Sequence, residues 1–250
     1  MTTPHSLQAV LQESLERYRR QSSLTPRQWQ VCHHLLDCRT AAMGGLQLAC
    51  DHCDNREPHY FSCRDRHCPG CQCKVTQVWS EKQRHNLLPV DYHHLVFTLP
   101  HDLNGWARLH PKEIYTLLFA AVWHTLSAFG KNRLHGRLGM TAVLHTWGQN
   151  LSQHLHLHCL IPGGALTDSG EWKRNNAPYL FPVKALSRHF RGNFVSRLRD
   201  KIDAGELTKI EDKPEVKTLM DNLMQKEWVV YSKACIGHAE TVVNYLARYP

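Results

Sequence analysis

The stretch HLHLHCLIP, residues 154–162, places a histidine at every second position and an apolar residue between each. Only an extended strand gives that pattern a meaning, because alternate side chains of a strand face the same way. His154, His156 and His158 then share one face, and Leu155, Leu157 and Cys159 share the other. The leucine face belongs in a core. Histidines about 6–7 Å apart along the opposite face can converge on one metal ion. The competing reading is a half-exposed strand whose polar side happens to be histidine, which 19 histidines in one chain make a fair competitor.

Outward from this strand, the sequence reads as an α+β chain. MTAVLHTW (140–147) is a second strand, joined to the first by the polar turn GQNLSQ, and HHLVFTLP (93–100) and EWVVYSK (227–233) are two more. Between them the period changes. Residues 111–132 repeat apolar side chains at helical spacing, FPVKALSRHFRGNFVSRLRD (181–200) forms a basic helix, and 213–225 and 238–249 form two further helices. Toward the N-terminus, residues 5–20 make an amphipathic helix. Thr25-Pro26-Arg27-Gln28 opens another, with a capping hydroxyl, a proline in the first turn and a glutamine positioned to close a capping box. Two parts follow: a helical, cysteine-rich region over 1–80 and an α+β domain over 85–250.

Composition narrows the function. The 250 residues carry a net charge of +8, with 42% hydrophobic residues and a pI near 9.0. A folded chain with a polyanionic partner fits, and an intrinsically disordered one does not. Between Lys173 and Lys201, eight basic residues face one acid, Asp200. Lys184, Arg188, Arg191, Arg197 and Arg199 on the basic helix are therefore candidate phosphate contacts, set against the more ordinary reading of a solvated helix face. The N-terminus has no secretory pattern and the most apolar stretch, 115–129, is too short to span a bilayer. A cytoplasmic protein with no membrane partner is expected. In that compartment ten cysteines point to metal rather than to disulfides.

The cysteines between 50 and 73 are spaced Cys50-x2-Cys53 and Cys68-x2-Cys71, with Cys63 and Cys73 beside them. Paired CxxC knuckles suit a tetrahedral structural zinc, so Cys50, Cys53, Cys68 and Cys71 are the expected ligands. Cys63, His67, His59 and His52 are further candidates. At the C-terminus Tyr245 and Tyr249 lie one helical turn apart on one face. Two packing tyrosines would look the same. They become nucleophiles only where a metal polarises a phosphate, which couples them to the histidine strand.

Taken together, CRDRHCPGCQ (63–72), HLVFTLPHDLN (94–104), HTWGQNLSQHLHLHCLIPGGAL (145–166) and YLARY (245–249) resemble the rolling-circle insertion-sequence transposases of the IS91 family, two-tyrosine HUH endonucleases with an N-terminal zinc-binding domain. The resemblance runs from about Cys38 to Tyr249. It implies a central antiparallel sheet with flanking helices behind a small zinc module. It implies that His156 and His158 bind a catalytic Mg²⁺ or Mn²⁺, with His154 outside the minimal motif. It implies that Tyr245 and Tyr249 attack DNA, and that the partner is single-stranded or hairpin DNA at the element ends. The third metal ligand is left open among His238, Glu240 and Asn244. Family members continue past the tyrosines, so a sequence ending at Pro250 reads as C-terminally truncated. A plasmid replication initiator or relaxase would use the same chemistry. An inactive zinc-dependent DNA-binding protein would keep the cysteines and the basic helix alone.

Overall fold

A computed structural model describes residues 6–148, 150, 152–177, 179–210, 214–235 and 239–247. They form two compact units, one ending at Trp79 and one starting at Ser80.

The first unit begins with α1 (Leu7–Gln21), whose Ser6 hydroxyl accepts the Ala9 N–H. α2 (Pro26–Asp37) starts with the capping box that its sequence announces, Thr25 and Gln28 bonding each other's backbone N–H. Leu15 of α1 and Leu35 of α2 are buried. Then comes a two-stranded antiparallel ribbon, β1 (Gly45–Ala49) and β2 (Arg56–Tyr60), exposed along its whole length. The sequence does not announce this ribbon, because REPHY has neither β-branched residues nor alternation. A lone ribbon is marginally stable in water, so what holds its open end matters. α3 (Pro69–His85) follows.

The second unit is built on one four-stranded antiparallel sheet. In chain order come β3 (Tyr92–Thr98), α4 (Asn104–Leu109), α5 (Pro111–Phe129), β4 (Thr141–Trp147), β5 (Gln153–Pro162), a small hairpin of β6 (Gly164–Leu166) and β7 (Trp172–Arg174), α6 (Val183–Asp203), α7 (Pro214–Gln225), β8 (Val230–Cys235) and α8 (Ala239–Leu246). The sheet order is β4-β5-β3-β8, so the histidine strand β5 is internal, paired on both edges. Leu155, Leu157, Cys159 and Ile161 of β5 join Leu95 and Phe97 of β3 on the face packed against α5 and α6. All six are fully buried. Phe97 meets Phe190 of α6 edge-on at 5.2 Å between ring centres.

The β6–β7 hairpin was not legible beforehand, and β8 starts later than the 227–233 run suggests, because Trp228 is drawn into the core with its indole N–H on the Leu223 carbonyl. The long helix stops at Phe129 in a wider turn over Gly130–Leu134 that closes on His135 in the left-handed region, φ 52°. Among the described residues, no helix is long and apolar enough to cross a membrane.

Candidate metal centres and nucleophile

The first site lies in the N-terminal unit. The sulfur atoms of Cys38, Cys63, Cys68 and Cys71 come together, with Cys38 3.6 Å from both Cys68 and Cys71 and Cys63 3.7 Å from Cys71. A disulfide needs about 2.05 Å. Four sulfurs bound tetrahedrally at about 2.3 Å from zinc stand about 3.8 Å apart. The group therefore has the dimensions of a zinc site. Backbone N–H groups of Cys63 and Asp65 point at the sulfurs of Cys38 and Cys63, which suits thiolates.

The structure brings together two of the four expected ligands. Cys68 and Cys71 belong to the group, whereas Cys50 and Cys53 do not. The ribbon explains the exchange. Cys38 precedes β1 and Cys63 follows β2, so antiparallel pairing from Gly45↔Tyr60 onward draws the two toward each other at its open end. Cys50 and Cys53 sit exposed in its closed turn, about 16 Å away along five residue pairs. His67 also stands apart, its Nδ1 2.9 Å from the buried Asp65 carboxylate, which His34 meets from another side at the same distance. Against the cost of burial, the His67 N–H and these two rings hold the Asp65 carboxyl far below the usual carboxylate range.

The second site lies on the open face of the main sheet. Register sets it: His145 of β4 is paired with His156 of β5, and Val143 with His158. His145, His156 and His158 each offer a ring nitrogen, and these atoms lie within 4.8 Å of one another. The His156 Nδ1 lies 2.8 Å from the His154 carbonyl and so donates to it, which leaves Nε2 as a lone pair. The Nε2 of His158 is buried and has no hydrogen-bond partner. A buried nitrogen without a hydrogen-bond partner, beside two other imidazoles, has the surroundings that suit a metal ligand.

α8 brings the nucleophile candidate. The ring of Tyr245 is centred 5.7 Å from that of His158 and 6.1 Å from that of His145, and the side chain is 42% exposed. Tyr249 and His238 lie outside the described residues. Of the other third-ligand candidates, Glu240 is on the first turn of α8, and the Asn244 side chain accepts a hydrogen bond from the Ser80 hydroxyl at 2.9 Å. The third nitrogen belongs to His145, which the sequence reading passed over. The clue lay in counting back from the GQNLSQ turn along the partner strand.

Burial first, and the charge of neighbouring rings second, push the His145 imidazole down to about 4 and that of His158 down to about 3. His94, His154 and His156 are lowered for the same leading reason. These rings are neutral at neutral pH, as ligation requires. In the unfolded chain they titrate near 6.5. The unfolded state therefore binds more protons below that value, and stability present above pH 6.5 is lost as pH falls toward 3. The unfolding temperature of the chain without added divalent cation should drop across this window, and less so in His145→Asn/His158→Asn. A double variant with an unchanged profile would contradict this.

On the basic helix α6, Lys184 and Arg188 are exposed. The others are partly engaged within the unit: Arg191 donates to the Lys226 carbonyl, Arg197 to Asn193, and Arg199 pairs with Asp221 at 3.3 Å.

Comparison with known proteins gives a family match over each part of the chain. Residues 10–99 match the family described as a transposase zinc-binding domain, and residues 139–250 match one described as a putative transposase. The chain belongs to the IS91-type transposases. Among curated relatives, the putative transposase y4qJ of Sinorhizobium fredii is 39% identical over 244 residues, covering 94% of this chain and 61% of its own length. The transposase for insertion sequence element IS801 of Pseudomonas savastanoi pv. phaseolicola is 27% identical over 227 residues, covering 86% and 53%. The chain thus spans between about half and three fifths of the length of these curated relatives. A solved structure of the conjugative relaxase TrwC in complex with oriT DNA is 13% identical over 62% of this chain and 72% of that one, at a TM-score of 0.36, a likeness too loose to define the fold.

Proposed function

We propose that this IS91-type transposase chain nicks and rejoins single-stranded DNA through a covalent tyrosine–phosphodiester intermediate. The observation that carries the proposal is the meeting of three histidine nitrogens from β4 and β5 with the Tyr245 ring from α8. His145, His156 and His158 would hold one divalent cation, Mn²⁺ or Mg²⁺. Imidazole ligation suits Mn²⁺, and phosphate oxygens would supply further ligands to either ion. When bound there, the cation supplies Lewis-acid charge to the scissile phosphate.

The chain's own residues do the rest. The neutral imidazoles, two of them buried, fix where the phosphate sits. α8 presents the Tyr245 hydroxyl beside it. The hydroxyl oxygen forms a bond to phosphorus as the bond from phosphorus to the 3′ oxygen breaks. The tyrosine proton is taken up by solvent or by the departing oxygen, leaving a 5′-phosphotyrosine and a free 3′-OH. The reverse attack by a 3′-OH rejoins a strand. Tyr249 is the candidate for a second transfer that keeps the first link intact. In the N-terminal unit, Cys38, Cys63, Cys68 and Cys71 would bind a structural zinc that closes the exposed ribbon. The test is a denaturing gel: protein incubated with a single-stranded oligonucleotide bearing an element end should give a covalent adduct that depends on added Mn²⁺ or Mg²⁺. An adduct indifferent to the cation, or one attached to a residue other than tyrosine, refutes the reading.

α6 supplies a candidate binding surface for the strand. Each phosphate neutralised on a single strand adds about 0.7 to the slope of log affinity against log salt. Lys184→Ala/Arg188→Ala should flatten that slope by more than one unit of log per log, about 1.4 for two phosphates. Arg199→Ala should change it less, because Asp221 already meets that guanidinium. Equal slopes in wild type and the double variant would place the strand elsewhere.

A further inference from the structure

His94 lies on β3, the strand between β5 and β8, directly opposite Leu160 of one and Lys233 of the other. Its Nε2 is 2.8 Å from the Nδ1 of His158, with the two rings nearly parallel, 17° between planes. A hydrogen bond between two imidazole nitrogens carries a single proton, and its direction decides what the far side of His158 can do. If His94 donates, the proton of neutral His158 moves to Nε2. That atom is buried and meets no acceptor, so a donor would be stranded there. If His158 donates from Nδ1, its Nε2 is a lone pair aimed toward His145 and His156.

We infer that His94 is a positioning residue: it accepts the Nδ1 proton of His158 and so locks that imidazole in the tautomer and ring plane that a divalent cation needs. The inference rests on the metal-site reading above. His94 itself is not a fourth ligand, because its Nε2 is already occupied by His158. The two histidines of the motif are thus oriented by different means. His156 leans on a main-chain carbonyl, which no substitution removes. His158 leans on a side chain, which one substitution removes. Outer-shell partners of this kind commonly carry a tenfold to hundredfold share of metal affinity.

The experiment compares the full chain with His94→Leu, which deletes the acceptor, and His94→Gln, which offers an amide oxygen at similar reach. Nitrogen-15 NMR of the histidine rings reads the His158 tautomer without added cation, and calorimetric titration reads Mn²⁺ affinity. Wild type should show His158 protonated at Nδ1. His94→Leu should populate both tautomers and bind Mn²⁺ about 10–100-fold more weakly, with His94→Gln returning to within about threefold of wild type. Zinc content and the unfolding transition check that each variant is folded. A wild-type His158 protonated at Nε2 overturns the inference, and so does a folded His94→Leu with wild-type affinity. If His94→Leu fails to fold, the wild-type tautomer and the Gln variant still decide. His145→Ala separates the two claims: if it binds Mn²⁺ as wild type does, the metal-site reading itself falls, and the inference with it.

Discussion

His158→Ala should abolish the covalent protein–DNA adduct while leaving zinc content and DNA affinity close to wild type. His158 is buried, its Nε2 has no other partner, and its ring is the nearer of the two measured against Tyr245. On the proposed reading, removing it takes away one ligand of the cation and opens the space beside Tyr245, the proposed nucleophile. A preorganised group that stabilises charge at the reacting centre is worth about 100–1000-fold in rate when deleted. His145→Ala should lose activity to a similar degree, although the sequence motif does not include it. Tyr245→Phe keeps the ring and removes only the hydroxyl, so folding should be unchanged and transfer through that residue lost. Tyr249→Phe should impair complete strand transfer, and the double change should leave no adduct. Denaturing gels with end-labelled single strands read all four variants. An adduct that persists in Tyr245→Phe/Tyr249→Phe refutes the tyrosine mechanism, and full activity in His145→Ala refutes the three-histidine centre.

The second large effect is on folding. Cys38→Ser and Cys63→Ser should each release zinc and unfold the N-terminal unit, whereas Cys50→Ser and Cys53→Ser should leave both metal content and the unfolding transition near wild type. The energy at stake is on the order of 10 kcal/mol, the scale on which structural zinc holds small domains together. Little else can substitute for it: the β1–β2 ribbon is exposed throughout, and the buried cluster of the unit centres on Leu35 and three of the four cysteines. Metal analysis after gel filtration and circular dichroism on the four variants check this. Zinc loss in Cys50→Ser with retention in Cys38→Ser would restore the paired-knuckle assignment.

These two predictions mark where the sequence could be read and where it could not. Local signals held. The capping box at Thr25 opens α2 where Pro26 says it should. The alternation over 154–162 places Leu155 and Leu157 in the core and the histidines on the other side, because a strand admits no other reading of a period of two. Cross-chain geometry was the hidden part. Cys38 lies 25 residues before Cys63 and becomes its neighbour only through a ribbon whose residues carry no strand signature. His145 faces His156 because of a pairing register, and no spacing within one strand can reveal that. The arginines of α6 counted equally as charges in the sequence. Arg188 and Arg199 are both exposed, and only the fold shows that Arg199 is met by Asp221.

β5 performs two jobs with one backbone, its Leu155, Leu157, Cys159 and Ile161 walling the core and its His156 and His158 lining the candidate site. The arrangement makes the chain tolerant of one kind of genetic change and brittle to another. Substitutions on either side of the strand can be selected separately, since each face answers to its own neighbours. Loss or gain of a single codon between Leu155 and Cys159 is different: it would turn imidazoles inward and leucines outward from that point on. Drift in this strand should therefore appear as point replacements, and surviving length changes should collect in the polar turn before Gln153.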